Sequence, residues 1–235
     1  MNNHLNDITL ILQGTTTNKQ TLQDLYNEYK DMGFTNIILS SYSQYIPNDL
    51  LTEDFTINND DLFDIFKSQE LGFGKNINFH IATTQRGISK SNTKYVMKLR
   101  ADVFIRHLND KTEKWIELIN SKNSIPSSFS PLTKKIICVG LNTYKYLHKK
   151  WYVCDYWFFG LKEDIKTMWD IPYIDKKMSS KFPSEIYLSS QFLKKSQKPL
   201  DDFNNYFISS PDSMLNSYNH RWRVKFNKKW VNTWK

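Results

Sequence analysis

Acidic and basic side chains cluster where short apolar runs end. The run beginning at Tyr95 closes on Lys98-Leu99-Arg100-Ala101-Asp102. A carboxylate at a strand end can hold a divalent cation through oxygen or accept hydrogen bonds from sugar hydroxyls. Arg86, Lys98 and Arg100 could offset diphosphate charge, the arginines with fork geometry. Gln13-Gly14-Thr15 follows an earlier apolar run. A glycine there lets the backbone approach a phosphate or base, and a following helix N-terminus favours anions. An ordinary strand-to-helix turn explains the same residues equally well, and no G-x-G-x-x-G pattern argues for a dinucleotide site. Ser40 and Tyr42 end another run. A ring there can stack on a base or sugar, although a hydroxyl-rich turn with one exposed tyrosine is the plainer explanation.

Two further carboxylates stand apart. Asp155 lies in the aromatic stretch from Trp151 to Phe159. With period two it shares a face with Trp151, Val153, Trp157 and Phe159. Aspartate is unfavourable in strands, so it needs a partner, a raised pKa or a function. A structural Asp bonded to backbone is the alternative. Glu185 follows Pro183-Ser184 at a helix start, where an acid suits the macrodipole. The five histidines, His4, His80, His107, His148 and His220, show no metal-ligand spacing.

The elements that must carry these residues alternate. Strands are expected at Ile8–Leu12, Asn36–Ser40, Tyr95–Leu99, Lys135–Val139 and Trp151–Phe159, the last ended by Gly160. Helices are expected at Thr21–Met32, closed by Gly33, and at Asp60–Glu70, Asn76–Ser91, Phe104–Ile119, Lys162–Trp169 and Ser184–Lys195. Ser121–Thr133 reads as a Ser/Pro-rich loop. This order predicts an α/β fold with a central, mostly parallel sheet flanked by helices. Gly14 and Asp102 should share one end of that sheet.

The chain has 235 residues, 40% hydrophobic and 24% charged. That is a globular composition, which excludes disordered and fibrous classes. No apolar run reaches the ~18 residues of a membrane span. The first seven residues lack a signal-peptide pattern. Cys138 and Cys154 fit neither a metal site nor a disulfide framework, consistent with a cytoplasmic setting. The formal net charge of +8 favours anionic partners, whether nucleic acid, anionic lipid or phosphorylated small molecules. Plain solubility charge explains it as well. No helix-turn-helix, RNP or zinc pattern appears, so no nucleic acid is expected.

Gln13-Gly14, the helix around Gln85-Arg86-Gly87-Ile88, the strand ending at Asp102 and Asp155–Gly160 together resemble glycosyltransferases of the GT-A fold. More narrowly, the chain resembles the WavE lipopolysaccharide-synthesis family, from about Ile8 to Leu193. The resemblance implies a GT-A-like (Rossmann-like) single domain over residues 1–235. Residues 1–103 would hold a nucleotide sugar and residues 104–235 an acceptor, with a basic aromatic tail from His220. It implies transfer of a sugar to a growing surface glycan, lipopolysaccharide core or capsular polysaccharide. Donor contacts would come from Gln13, Gly14, Thr15, Ser40, Tyr42, Arg86, Lys98, Arg100 and Asp102. The Asp-x-Asp metal motif of GT-A glycosyltransferases falls on Arg100 and Asp102. Asp102 would therefore hold Mn or Mg, or cationic side chains would replace the metal. Asp155 is the expected catalytic base, with Glu185, in a Pro-x-Glu-like stretch, as second choice. The acceptor would be a glycan or glycolipid, and the tail would dock on the inner face of the cell membrane through anionic lipid. A nucleotidyl- or phosphosugar transferase and a basic nucleic-acid-binding module are the alternatives.

Overall fold

The computed structural model describes residues 3–14, 19–51, 53–62, 77–126, 128–138, 155–174, 184–196, 206–209 and 217–219. Strands β1 (Ile8–Gln13), β2 (Asn36–Ser41), β3 (Thr56–Asn58), β4 (Tyr95–Arg100), β6 (Ile136–Cys138), β7 (Trp157–Leu161) and β8 (Phe207–Ser209) form one seven-stranded sheet. Its order is β3-β2-β1-β4-β7-β6-β8. Every neighbouring pair is parallel except the two that involve β7, so β7 alone runs backwards. A second sheet pairs β5 (Val103–Ile105) with β9 (Ser217–Asn219) antiparallel. This is an α/β arrangement with a central, mostly parallel sheet flanked by helices, and strands on both sides of residue 103 share that sheet.

The strands split their side chains between two cores with the period-two alternation of a pleated backbone. Leu10, Leu12, Met97, Leu99, Trp157 and Phe159 face one core. Helices α1 (Lys19–Asp31) and α3 (Leu108–Asn120) cover it through Leu22, Leu25, Tyr29, Trp115 and Ile119. Ile11, Val96 and Phe158 face the other. There α2 (Ile77–Lys90), α4 (Lys162–Trp169) and α5 (Ser184–Leu193) contribute Ile81, Ile88, Ile165, Met168 and Phe192. Gly33 closes α1 with φ +98°, its N–H donating to the Lys30 carbonyl at 2.9 Å. Gly87 matters for a different reason. A Cβ there would collide with Ile11 Cγ2, so glycine lets α2 lie close against β1.

Three expectations are corrected. The helix expected from Phe104 begins at Leu108, because Val103–Ile105 is used as β5 and His107 turns the chain with φ 52°. The aromatic strand begins at Trp157, and Gly160 lies inside it rather than after it. The strand is held there by its register, Leu99 against Trp157 and Val96 against Gly160. Asp155 therefore precedes the strand instead of sitting within it. Most of the helix expected at Asp60–Glu70, residues 151–154 and the tail from His220 lie outside the described residues.

Candidate functional site

Strand direction builds the site. β2, β1 and β4 all end at the same edge, with Gln13 in register with both Ser40 and Arg100. The Ala101 N–H donates to the Gln13 carbonyl at 2.8 Å, and the Gly14 N–H to the Ser40 carbonyl at 3.1 Å. Gly14 (φ +91°) and Asp102 thus share the carboxyl edge, where ligands bind in open α/β sheets. Because β7 runs backwards, its beginning arrives at that same edge. The Arg100 N–H donates to the Tyr156 carbonyl at 2.9 Å, which places Asp155 beside Arg100.

The charges at this edge are paired tightly. Arg100 forks onto Asp102, Nε to Oδ1 at 2.9 Å and Nη2 to Oδ2 at 2.7 Å. Its Nη1 lies 3.5 Å from Asp155 Oδ1, and its guanidinium stacks over the Tyr156 ring at 4.9 Å. Asp155 Oδ2 meets His80 Nδ1 at 3.0 Å. Lys98, fully buried, donates from Nζ to the Asp155 carbonyl and lies 5.0 Å from the centroid of the Trp169 ring. Asp155 is 1% exposed. Burial alone would raise its pKa. The hydrogen bond and charge of His80, with the charges of Arg100 and Lys98, instead hold it well below the usual carboxylate range. Burial opposes charge on Arg100 too, and Asp155 and Asp102 more than compensate.

The structure separates the other expected site residues. Gln13 is buried, accepting the Thr83 hydroxyl at 2.8 Å on Oε1, while its Nε2 has no partner among the described residues. Ser40 is also buried. It donates to the Thr83 carbonyl at 2.7 Å, so its hydroxyl locks β2 to α2 rather than facing a ligand. Tyr42 is 1% exposed and packs edge-on against Phe79, which corrects the expectation of an exposed stacking ring. Arg86 is taken by Asp61 through two 2.7 Å bonds, away from the Arg100 cluster. Thr15 lies outside the described residues. Glu185 falls in the first turn of α5, its side chain outside the described residues. His80 is the site member that sequence reasoning passed over. Its only local signal was a place near the start of a helix that leads into β4.

The edge does not suit a divalent cation. Both Asp102 oxygens are engaged by the Arg100 fork, and that guanidinium already stands between the carboxylates of Asp102 and Asp155. Among the described residues, no three His, Cys, Asp or Glu side chains converge as a metal site. A cavity of about 610 Å³, lined by Thr9, Phe34, Asn36, Lys90 and Asn92 among others, lies at the opposite, amino end of the sheet.

The profile of the WavE lipopolysaccharide synthesis family matches residues 19–214. No curated protein matches the chain by sequence. Among the solved structures similar to it are two of note. One is a glycosyltransferase involved in glycosylation of the major capsid of PBCV-1, with TM-score 0.35 and 14% identity over 69% of this chain and 64% of that one. This chain thus spans just under two thirds of that enzyme's length. The other is HddC from Yersinia pseudotuberculosis, with TM-score 0.40 and 15% identity over 76% of this chain and 83% of that one.

Proposed function

The chain belongs to the WavE lipopolysaccharide synthesis family, and from that premise we propose that it is a glycosyltransferase. It would move a sugar from a nucleotide-sugar donor to a hydroxyl of a growing surface glycan, in the lipopolysaccharide core or capsule. The supporting observation is the meeting of Lys98, Arg100, Asp102 and Asp155 at the carboxyl edge of the parallel strands. The roles divide by geometry. Asp102, with lone pairs beyond those the Arg100 fork uses, accepts hydrogen bonds from donor hydroxyls. Arg100, partly exposed and rigidly aimed, stabilises charge developing on the leaving diphosphate, an effect strengthened where water is excluded. Arg100 thus occupies the position of the first Asp in the metal motif of GT-A glycosyltransferases, and its cation would take over the charge of a divalent ion.

Product analysis tests this. A panel of UDP-, GDP- and dTDP-sugars with deacylated lipopolysaccharide core should yield a nucleoside diphosphate. Release of pyrophosphate would mean nucleotidyl transfer instead. Turnover should persist in EDTA, and strict dependence on added Mn²⁺ or Mg²⁺ would overturn the role given to Arg100. No helix among the described residues is long and apolar enough to cross a membrane. The acceptor would be met through the basic aromatic segment 220–235, which mixes Arg221, Arg223 and Lys225 with Trp222, Trp230 and Trp234. A chain ending at Asn219 should float less with anionic liposomes than the full chain, and equal flotation would remove the segment from the reading.

A further inference from the structure

The expected base, Asp155, is badly placed to take a proton. It is 1% exposed, and one oxygen faces His80 while the other faces Arg100. Its carboxyl is also held below the ordinary range, and a group so acidic gains little by accepting a proton. The group that Asp155 touches is better placed. His80 stands in the first turn of α2, whose start lies at the carboxyl edge because α2 leads back into β4. Its side chain is 16% exposed, against 2% for that of Asp155.

Resting on the glycosyltransferase reading, we infer that His80 is the general base of the transfer and that Asp155 is the buried anion that orients it. An ionised carboxylate only accepts hydrogen bonds, so the 3.0 Å contact assigns the proton of neutral His80 to Nδ1. Nε2 then carries the lone pair, and no hydrogen bond to it is made among the described residues. Nε2 takes the proton of the acceptor hydroxyl while that oxygen bonds to the anomeric carbon. The bond from that carbon to the diphosphate oxygen breaks, and its electron pair leaves on the diphosphate. The imidazolium so formed is balanced by Asp155, the division of labour of a base and its orienting acid. Such a displacement inverts the anomeric centre.

The surroundings hold the pair in register. Asn78, two residues before His80, clasps the Ile174 backbone with bonds of 3.1 and 2.7 Å. Gln85 donates to the Trp169 and Ile171 carbonyls at 2.8 and 3.1 Å. Lys98 ties down the Asp155 carbonyl from β4. Among the described residues, the charged groups that face the dyad are Arg100 and Lys98. Arg86, on the same helix, is about 9 Å further along the axis and engaged by Asp61.

The test is kinetic. In the wild type, kcat for nucleoside diphosphate release should fall on the acid side, where the base is protonated. A kcat that does not fall in acid would overturn the proposal without any variant. His80→Asn keeps an amide donor near the Nδ1 position but has no base. Its kcat should drop roughly 10²–10⁴-fold with donor affinity unchanged by thermal shift, and the acid limb should vanish. Asp155→Asn should lower kcat as well, and the double variant should be no slower than His80→Asn alone, since the two act as a unit. Retention of most turnover by His80→Asn and His80→Gln, multiplicative losses in the double variant, or retention of anomeric configuration in the product would each reject His80 as base. Failure of the glycosyltransferase reading looks different: the wild type itself would release no nucleoside diphosphate.

Discussion

The two ends of the same sheet are built on opposite terms. The amino end leaves a cavity of about 610 Å³, whose lining residues Thr9 and Asn36 are tied back by the 2.7 Å Thr9–Thr93 hydroxyl pair and the 2.9 Å bond from Asn36 Nδ2 to the Asn6 carbonyl. The carboxyl edge buries Lys98, Asp102 and Asp155 and half-buries Arg100 and His80. Burying charge is expensive unless each charge is paired. A fold that tolerates several buried ions in one place holds them in a geometry worth keeping.

That contrast can be broken at its strongest point first. Arg100→Gln strands Asp102 without its fork and removes the cation beside Asp155. Turnover should fall by roughly 10²-fold or more, and loss of one partner of a buried pair should cost about 3 kcal/mol. In a chain of this size that lowers Tm by roughly 6–12 °C, readable by thermal shift. Wild-type Tm and turnover would show the cluster to be ornamental. Gly87→Ala comes next. The new methyl meets Ile11 Cγ2, so α2 must lift from β1 at a cost of roughly 1–3 kcal/mol. Because α2 carries His80, kcat should fall beyond what the loss of folded protein explains, whereas an unchanged kcat per folded molecule would uncouple helix seating from chemistry.

The pH dependence of stability sharpens the contrast further. The Asp155 pKa is depressed in the fold, so its contribution is fully present above the unfolded value of about 3.9 and is lost as pH falls through the lower folded value. The Tm gap between wild type and Asp155→Asn should be widest near neutral pH and narrow below about pH 4. A gap that stays constant into acid would mean that the carboxylate contributes no charge pairing. The smallest effect belongs to the amino end. Lys90→Ala, on the cavity rim, should shift stability by no more than about 0.5 kcal/mol and leave kcat and donor affinity as they were. A large loss of turnover there would erase the distinction between the two ends.

Particular residues show how far the sequence could be read. The short apolar run at Ile8–Leu12, the helical spacing of Leu22, Leu25 and Tyr29, and Gly33 at the helix stop all became the elements they announced. Gly14 and Asp102 did reach one edge. Val103-Phe104-Ile105 misled, because its pairing with Ser217–Asn219 lies more than a hundred residues away. Ser40 and Tyr42 ended a strand as expected, yet α2 covers them. Nothing near Tyr42 in sequence announces Phe79.

The sequence by itself determined the alternation of strands and helices, and the position of Arg100-Ala101-Asp102 at a strand end. Those features depend on backbone periods of 2 and 3.6 residues, which are local. Only the tertiary structure decided that β7 runs against its neighbours. That reversal carries Asp155 to the edge where β4 ends and sets it between His80 and Arg100, 75 residues before it and 55 residues before it in the chain. Charge pairing acts through space, so the identity of a buried carboxylate's partners is fixed by which way its strand runs and which helix lies over it, and no local pattern records either.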